Sequence, residues 1–152
     1  MSHLQDSALI SSKVDPLLKR DGIPATFVPS RNFIFLGIAA SVAYKRDIEN
    51  LVIGASQTDF SGYFDCRNNA LASTQVSLSL CLGKDLTVWT PFMWLTKGEE
   101  VLLMKDLGHL DWLEYTLSCY CGRKPSCGKC ASCILRIKGF KEAGIIDPIP
   151  YE

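Results

Sequence analysis

The chain has 152 residues, 47% hydrophobic and 21% charged, so it is long enough to bury a core and too apolar for a disordered segment. Lys+Arg and Asp+Glu number 16 each, and the zero formal net charge argues against a basic nucleic-acid coat and against an acidic tail. No apolar run is long enough to span a bilayer, and "MSHLQDSALISSKVD" has neither the charged start nor the apolar stretch of a signal peptide, so a cytoplasmic location with reduced thiols is expected.

The first stretch, to about Ile23, has scattered polar residues, Pro16 and Gly22, and reads as loop with one short helical turn near Leu17 and Leu18. "ATFVP" is a strand candidate ended by Pro29. "NFIFLGIAASVAYKRD" is predicted as a helix with Asn32 as N-cap and Phe35, Ile38, Ala39, Val42 and Ala43 facing inward. "NLVIGAS" suits a strand buried on both faces. "NNALASTQVSLSLCLG" is predicted as a helix with Val76, Leu80 and Cys81 inward and Gly83 as its stop. "LTVWTPF" is a further strand. In "TKGEEVLLMKDLG", Thr96 and Glu99 form a capping box and Gly108 ends the helix. "ILRIKGFKEAG" is a last helix closed by Gly144. Strands alternating with helices imply a mostly parallel sheet, with no internal repeat.

Five of the seven cysteines lie within "SCYCGRKPSCGKCASC". An odd cysteine count in a reducing compartment fits a disulfide framework badly. Cys127, Cys130 and Cys133 form a C-x2-C-x2-C run, with Cys119 and Cys121 just upstream. Four closely spaced thiolates suit tetrahedral Zn²⁺, and Gly122, Pro125 and Gly128 supply the turns that wrap one loop around an ion. An iron–sulfur cluster is the leading rival, but the further cysteine followed by proline of the ferredoxin run is missing. Spacing alone does not choose between Cys119 and Cys121 as fourth ligand. Arg123, Lys124, Lys129 and Arg136 are read as charge balance for the thiolates. Without interleaved aromatic residues they do not make a nucleic-acid site, and no direct nucleic-acid partner is expected. A closed four-thiolate site has no open position for a substrate, so the metal is structural.

Ligands of parallel sheets bind beyond the carboxyl ends of the strands, where "VPSRN" and "GASQTDFSGYFDCRNN" fall. The second stretch holds Asp59, Ser61, Tyr63, Asp65, Cys66 and Arg67. Asp and Ser can hydrogen-bond the edge of a heterocycle, arginine can grip a carboxylate, and Tyr63 or Phe64 can stack on a flat ring. The plainer alternative is a long turn with an Asx-cap. Arg31 is either an anion ligand or a surface residue. Cys66 has no histidine near it in sequence, His109 reads as a surface or C-cap residue, and Trp89, Trp94 and Trp112 are read as core.

Together, "VPSRN", "IGASQTDFSGYFDCR", "TPFMWLTKGEEV" and "SCYCGRKPSCGKCASCILRIKGFKEAGIIDP" resemble the 7-cyano-7-deazaguanine (preQ0) synthase family over roughly residues 23 to 148. The resemblance implies an α/β, Rossmann-like (adenine nucleotide alpha hydrolase-like) parallel sheet in a single domain, with a zinc-binding segment at 119–133. It implies ATP-dependent conversion of 7-carboxy-7-deazaguanine and ammonia to the nitrile on the way to queuosine. It implies zinc on Cys119, Cys127, Cys130 and Cys133, and a substrate loop of Asp59, Ser61, Gly62, Tyr63, Asp65 and Arg67 together with Arg31. Three positions depart from the family: Ser30 for its usual glycine, Phe64 for proline and Trp89 for histidine.

The family's SGGxDS loop, which cradles the ATP phosphates, is not matched in residues 1 to 30; "QDSALISSKVD" resembles the family's middle segment instead. The chain is therefore expected to be truncated on its N-terminal side and inactive alone. It is further expected to form a homodimer or to associate with a chain supplying the missing half. The alternatives are a catalytically dead, zinc-stabilised deazapurine-binding module and a partner subunit that completes an ATP-loop chain in trans.

Overall fold

A computed structural model of the chain describes residues 7–9, 15–20, 22–58 and 63–152. In chain order its elements are β1 (Lys19–Arg20), β2 (Ile23–Pro24), α1 (Arg31–Lys45), β3 (Asn50–Val52), α2 (Asn68–Leu82), β4 (Thr87–Trp89), α3 (Lys97–Asp106) and α4 (Ala131–Glu142), with 3-10 helices at Phe64–Cys66 and Leu110–Tyr115. These residues form two compact units: Val28–Trp94, and the described residues up to Phe27 together with Leu95–Glu152.

The Val28–Trp94 unit is a β-α-β core. β3 and β4 pair in parallel, Leu51 opposite Val88 and Val52 opposite Trp89, with α2 as the crossover. Because side chains alternate across a strand, Leu51 and Val88 turn toward the buried Leu36, Leu71 and Met93. Ala40 and Ala43 of α1 pack with Leu86, and such small residues let the helix lie close. Val52 and Trp89 point the other way and are 71% and 58% exposed. Parallel sheets are normally covered on both faces; among the described residues this face has no cover. On the edge of β4 away from β3, the Val88 N–H donates to Gln75 Oε1 of α2 at 2.7 Å.

In the other unit β1 and β2 form a short antiparallel hairpin. The Thr96/Glu99 capping box forms as expected, and Gly108 ends the turn after α3 with φ +74°. Helix α4 meets α3 at two glycines. A Cβ on Gly139 would lie 2.6 Å from Lys97 Cβ, so only glycine permits this approach. Arg136 on α4 forms a two-pronged ion pair with Asp147 (Nε–Oδ2 2.8 Å, Nη2–Oδ1 2.9 Å), and the Tyr151 hydroxyl donates to the same carboxylate. The tail is thereby fastened to α4.

Several expectations are corrected. Residues 25–29 are not a strand: the Phe27 N–H turns back onto the Pro24 carbonyl at 2.9 Å, and no described strand lies beside them to pair with. The expected turn near Leu17 and Leu18 is present, with the Leu18 N–H donating to the Asp15 carbonyl at 3.2 Å, but a short hairpin follows it where loop was expected. On α1 the buried stripe is Asn32, Leu36, Ala40 and Ala43; Phe35, Ile38 and Val42 face solvent. The helix is apolar on two faces, so its period does not say which one is inside. On α2 the buried residues are Leu71 and Thr74, whereas Val76, Leu80 and Cys81 are exposed. Trp89, Trp94 and Trp112 are all exposed. Asn32 is not the N-cap of α1, because Ser30 occupies that position. Arg136 is taken up by Asp147 rather than by the thiolates, whereas Arg123 pairs with Glu152 and also interacts with the Cys121 and Cys127 thiolates.

Candidate metal centre and substrate loop

The cysteine segment folds into a knuckle because Gly122 and Gly128 take left-handed conformations, at φ +62° and +64°. The turns bring the Sγ atoms of Cys119, Cys127, Cys130 and Cys133 within 4.8 Å of one another, all four buried. A tetrahedral zinc with Zn–S of ~2.3 Å needs sulfurs about 3.8 Å apart, and Cys127 and Cys133 lie at 4.0 Å. The donor set therefore fits the ion. Cys121 is only half-buried and packs against the outside of the cluster.

Backbone donors favour thiolates here. Cys127 N–H points at Cys119 Sγ (3.5 Å) and Cys130 N–H at Cys127 Sγ (3.4 Å). Burial opposes ionisation of Cys119, but the N–H groups of Cys127, Arg123 and Cys121 hold its thiol below the ordinary value. Burial also opposes ionisation of Cys127, yet the N–H groups of Lys129 and Cys130 bring it down to about 6. Cys133 is pushed up, by burial first and then by Cys130. Four sulfurs this close repel one another as anions, and a divalent cation at their centre removes the conflict. Tyr151 packs against the cluster, and its Cβ lies 3.8 Å from where a Cβ on Gly128 would sit.

The second constellation lies in the Val28–Trp94 unit, beyond the carboxyl ends of β3 and β4. Gln57 N–H donates to the Met93 carbonyl at 2.9 Å, tying the two strand exits together. The N-terminus of α1 meets the 3-10 turn at Phe64–Cys66. Asn32 N–H donates to Asp65 Oδ2 at 2.9 Å, and the buried Asn32 Nδ2 donates to Cys66 Sγ at 3.2 Å. Asp65 thus caps α1, and its buried Oδ1 has no partner among the described residues. Arg31 lies over the buried Tyr63 ring at 5.7 Å, and Arg67 over Phe64 at 4.9 Å. Ser30 sits at φ +58°, a left-handed conformation that glycine adopts without strain, which gives a reason for the family's usual residue there.

Of the residues expected at the substrate site, Arg31, Tyr63, Asp65 and Arg67 come together in this assembly. Asp59, Ser61 and Gly62 lie outside the described residues. The sequence reading missed the bracing role of Asn32, because a polar residue at a helix start is first taken for a cap. It also missed a cleft of about 500 Å³ lined by Gln57, Arg67, Asn68, Asn69 and Trp94. His109 is exposed and stacks on Trp112 with centroids 4.1 Å apart, a surface role as expected. Among the described residues no helix is long and apolar enough to cross a membrane.

The family model for queuosine biosynthesis protein QueC matches residues 1–144. A 7-cyano-7-deazaguanine synthase of Chromobacterium violaceum is 49% identical over 129 residues, covering 85% of this chain and 55% of the relative. Synthases of the same name from Laribacter hongkongensis and Staphylococcus haemolyticus are 41% identical over 151 residues and 43% over 143 residues; the alignments cover 97% and 93% of this chain and 66% and 64% of the relatives. The chain thus spans between half and two thirds of the length of these curated relatives.

Proposed function

The chain belongs to the QueC family of queuosine biosynthesis proteins, and from that premise we propose that it provides the deazapurine-binding, zinc-bearing part of a 7-cyano-7-deazaguanine synthase. The observation that carries this reading is the Asn32–Asp65 brace. It joins "SRN" and "DCR", two stretches resembling the family's motifs, into one assembly at the strand ends where α/β sheets bind ligands.

The substrate is 7-carboxy-7-deazaguanine, with ammonia and ATP. A carboxylate is a poor electrophile, and adenylation makes it a mixed anhydride with loss of pyrophosphate. Ammonia displaces AMP to give the amide. A second adenylation at the amide oxygen, again with loss of pyrophosphate and of one proton from nitrogen, makes an adenylated imidate, and cleavage of its C–O bond releases AMP and the second proton to yield the nitrile. Arg31 and Arg67 contribute positive charge where the carboxylate and phosphates bind, and Asp65 and Asn32 hold the loop in place. Zinc on Cys119, Cys127, Cys130 and Cys133 folds the knuckle and takes no part in the reaction.

The adenylating step requires a phosphate-binding loop, and the 152 residues contain no SGGxDS run. The bare sheet face at Val52 and Trp89 and the bare α1 face at Phe35, Ile38 and Val42 support covering of this unit by further polypeptide, which would also bring that loop. The reaction belongs to the cytoplasm, where ATP and reduced thiols are found. Turnover of 7-carboxy-7-deazaguanine, ATP and ammonium to the nitrile and AMP is expected when a chain bearing SGGxDS is added, and not without it. No turnover in either case refutes the reading. Binding without turnover would make this chain a zinc-stabilised deazapurine-binding module.

A further inference from the structure

We propose that the cleft under Trp94 is the heterocycle subsite, in which a planar nitrogen heterocycle stacks on the indole and is read at its edge by Asn69 and Gln57. That the heterocycle is a deazapurine rests on the function proposed above; the subsite rests on the cleft itself.

Trp89, Trp94 and Trp112 are all exposed, at 58%, 65% and 56%; what sets Trp94 apart is the company its indole keeps, because an aromatic face beside amide groups suits a flat polar ring. It lines a cleft of about 500 Å³ with Gln57, Asn68, Asn69 and Arg67, inside the ~300–1,000 Å³ range of small-molecule sites. Three of these five residues carry primary amides, each with both donors and acceptors. Gln57 spends Oε1 on the Asn68 N–H at 2.8 Å, which fixes the side chain and leaves its NH₂ group as donor. No protein partner holds the Asn69 amide among the described residues, so it can present donor and acceptor together. A heterocycle with adjacent N–H and C=O groups matches that set, as a guanine-like ring does. Arg67 adds one positive charge to the wall, suited to a ring with an acidic substituent. The cleft opens at the ends of β3 and β4, where the Gln57–Met93 bond holds Gln57 close to the segment that carries Trp94.

The test is equilibrium binding to the full chain, by tryptophan quenching and calorimetry, with 7-carboxy-7-deazaguanine and with guanine as probes. Stacking on an aromatic side chain contributes ~1–3 kcal/mol per base, so Trp94→Ala is expected to weaken binding about 5- to 150-fold. Trp94→Phe retains most of the affinity, and Asn69→Leu lowers it while relaxing preference for guanine over purine. Trp112→Phe is the control for quenching, with unchanged affinity. Because Trp94 lies largely in solvent, the melting temperature of Trp94→Ala should match that of the parent. Unchanged affinity of Trp94→Ala for 7-carboxy-7-deazaguanine overturns the subsite and leaves the proposed function standing. Trp94-dependent binding of guanine without binding of 7-carboxy-7-deazaguanine upholds the subsite and removes the proposed substrate. Absence of binding by either probe overturns the subsite.

Discussion

Replacing Asp147 with asparagine tests how the C-terminal tail is held. Its side chain and that of Arg136 are only 9% and 10% exposed, so solvent screens the pair weakly. The carboxylate receives Arg136 Nε and Nη2, the Tyr151 hydroxyl and the Ile149 N–H. Removing one member of a buried pair costs ~3–5 kcal/mol. Arg136 keeps the Thr116 hydroxyl (2.6 Å) and the Leu113 carbonyl (2.9 Å) as acceptors, which puts the loss at the lower end, about 3 kcal/mol, or roughly a hundredfold in the folding equilibrium. Urea unfolding of the zinc-loaded protein reads it directly. Acid gives a second readout. Burial raises the Asp147 carboxyl pKa, but the hydrogen bonds from Arg136 and Tyr151 outweigh it and hold the group below the ordinary aspartate value. With its folded pKa depressed, Asp147 stabilises fully above the unfolded value of ~3.9, and the contribution disappears as pH falls through the folded value. Wild type and Asp147→Asn should therefore differ at neutral pH and converge in acid. Equal urea midpoints at neutral pH, or parallel pH profiles, would refute this account of the ion pair.

Metal analysis of purified protein should find about one zinc per chain; Cys133→Ser should lose it and Cys121→Ser keep it. Iron with a visible chromophore would overturn the assignment. Ser30→Gly relieves a left-handed serine worth ~1–2 kcal/mol, less ~0.4–1 kcal/mol for the freer unfolded chain, so a gain of up to about 1 kcal/mol is expected. A lower melting temperature for Ser30→Gly would contradict the strain at φ +58°.

Features set by local chemistry were legible in the sequence. The Thr96/Glu99 capping box and the stops at Gly83, Gly108 and Gly144 depend on a few neighbouring residues, and each is where the pattern put it. The thiolate knuckle was legible for the same reason, since its ligands and turning glycines sit in one short loop. Features that depend on distant partners were not. A strand at residues 25–29 needs a neighbouring strand along its length, and only Ala25 bonds across, to Leu18 and Ala8. On α1, Phe35, Ile38 and Val42 repeat as regularly as Leu36, Ala40 and Ala43; packing, not period, decides which stripe is inside. Trp89, Trp94 and Trp112 were misread because bulk and apolarity usually mean core, whereas all three are exposed.

The hydrogen bond from Val88 to Gln75 bears on stoichiometry. It stops the outer edge of β4 with a side chain of the same unit, while β3 has no such stop among the described residues. Two copies meeting through β3 would each use the edge of this sheet that carries no such stop among the described residues. Strand pairing through this sheet alone would then close as a pair, where two open edges would permit a growing filament.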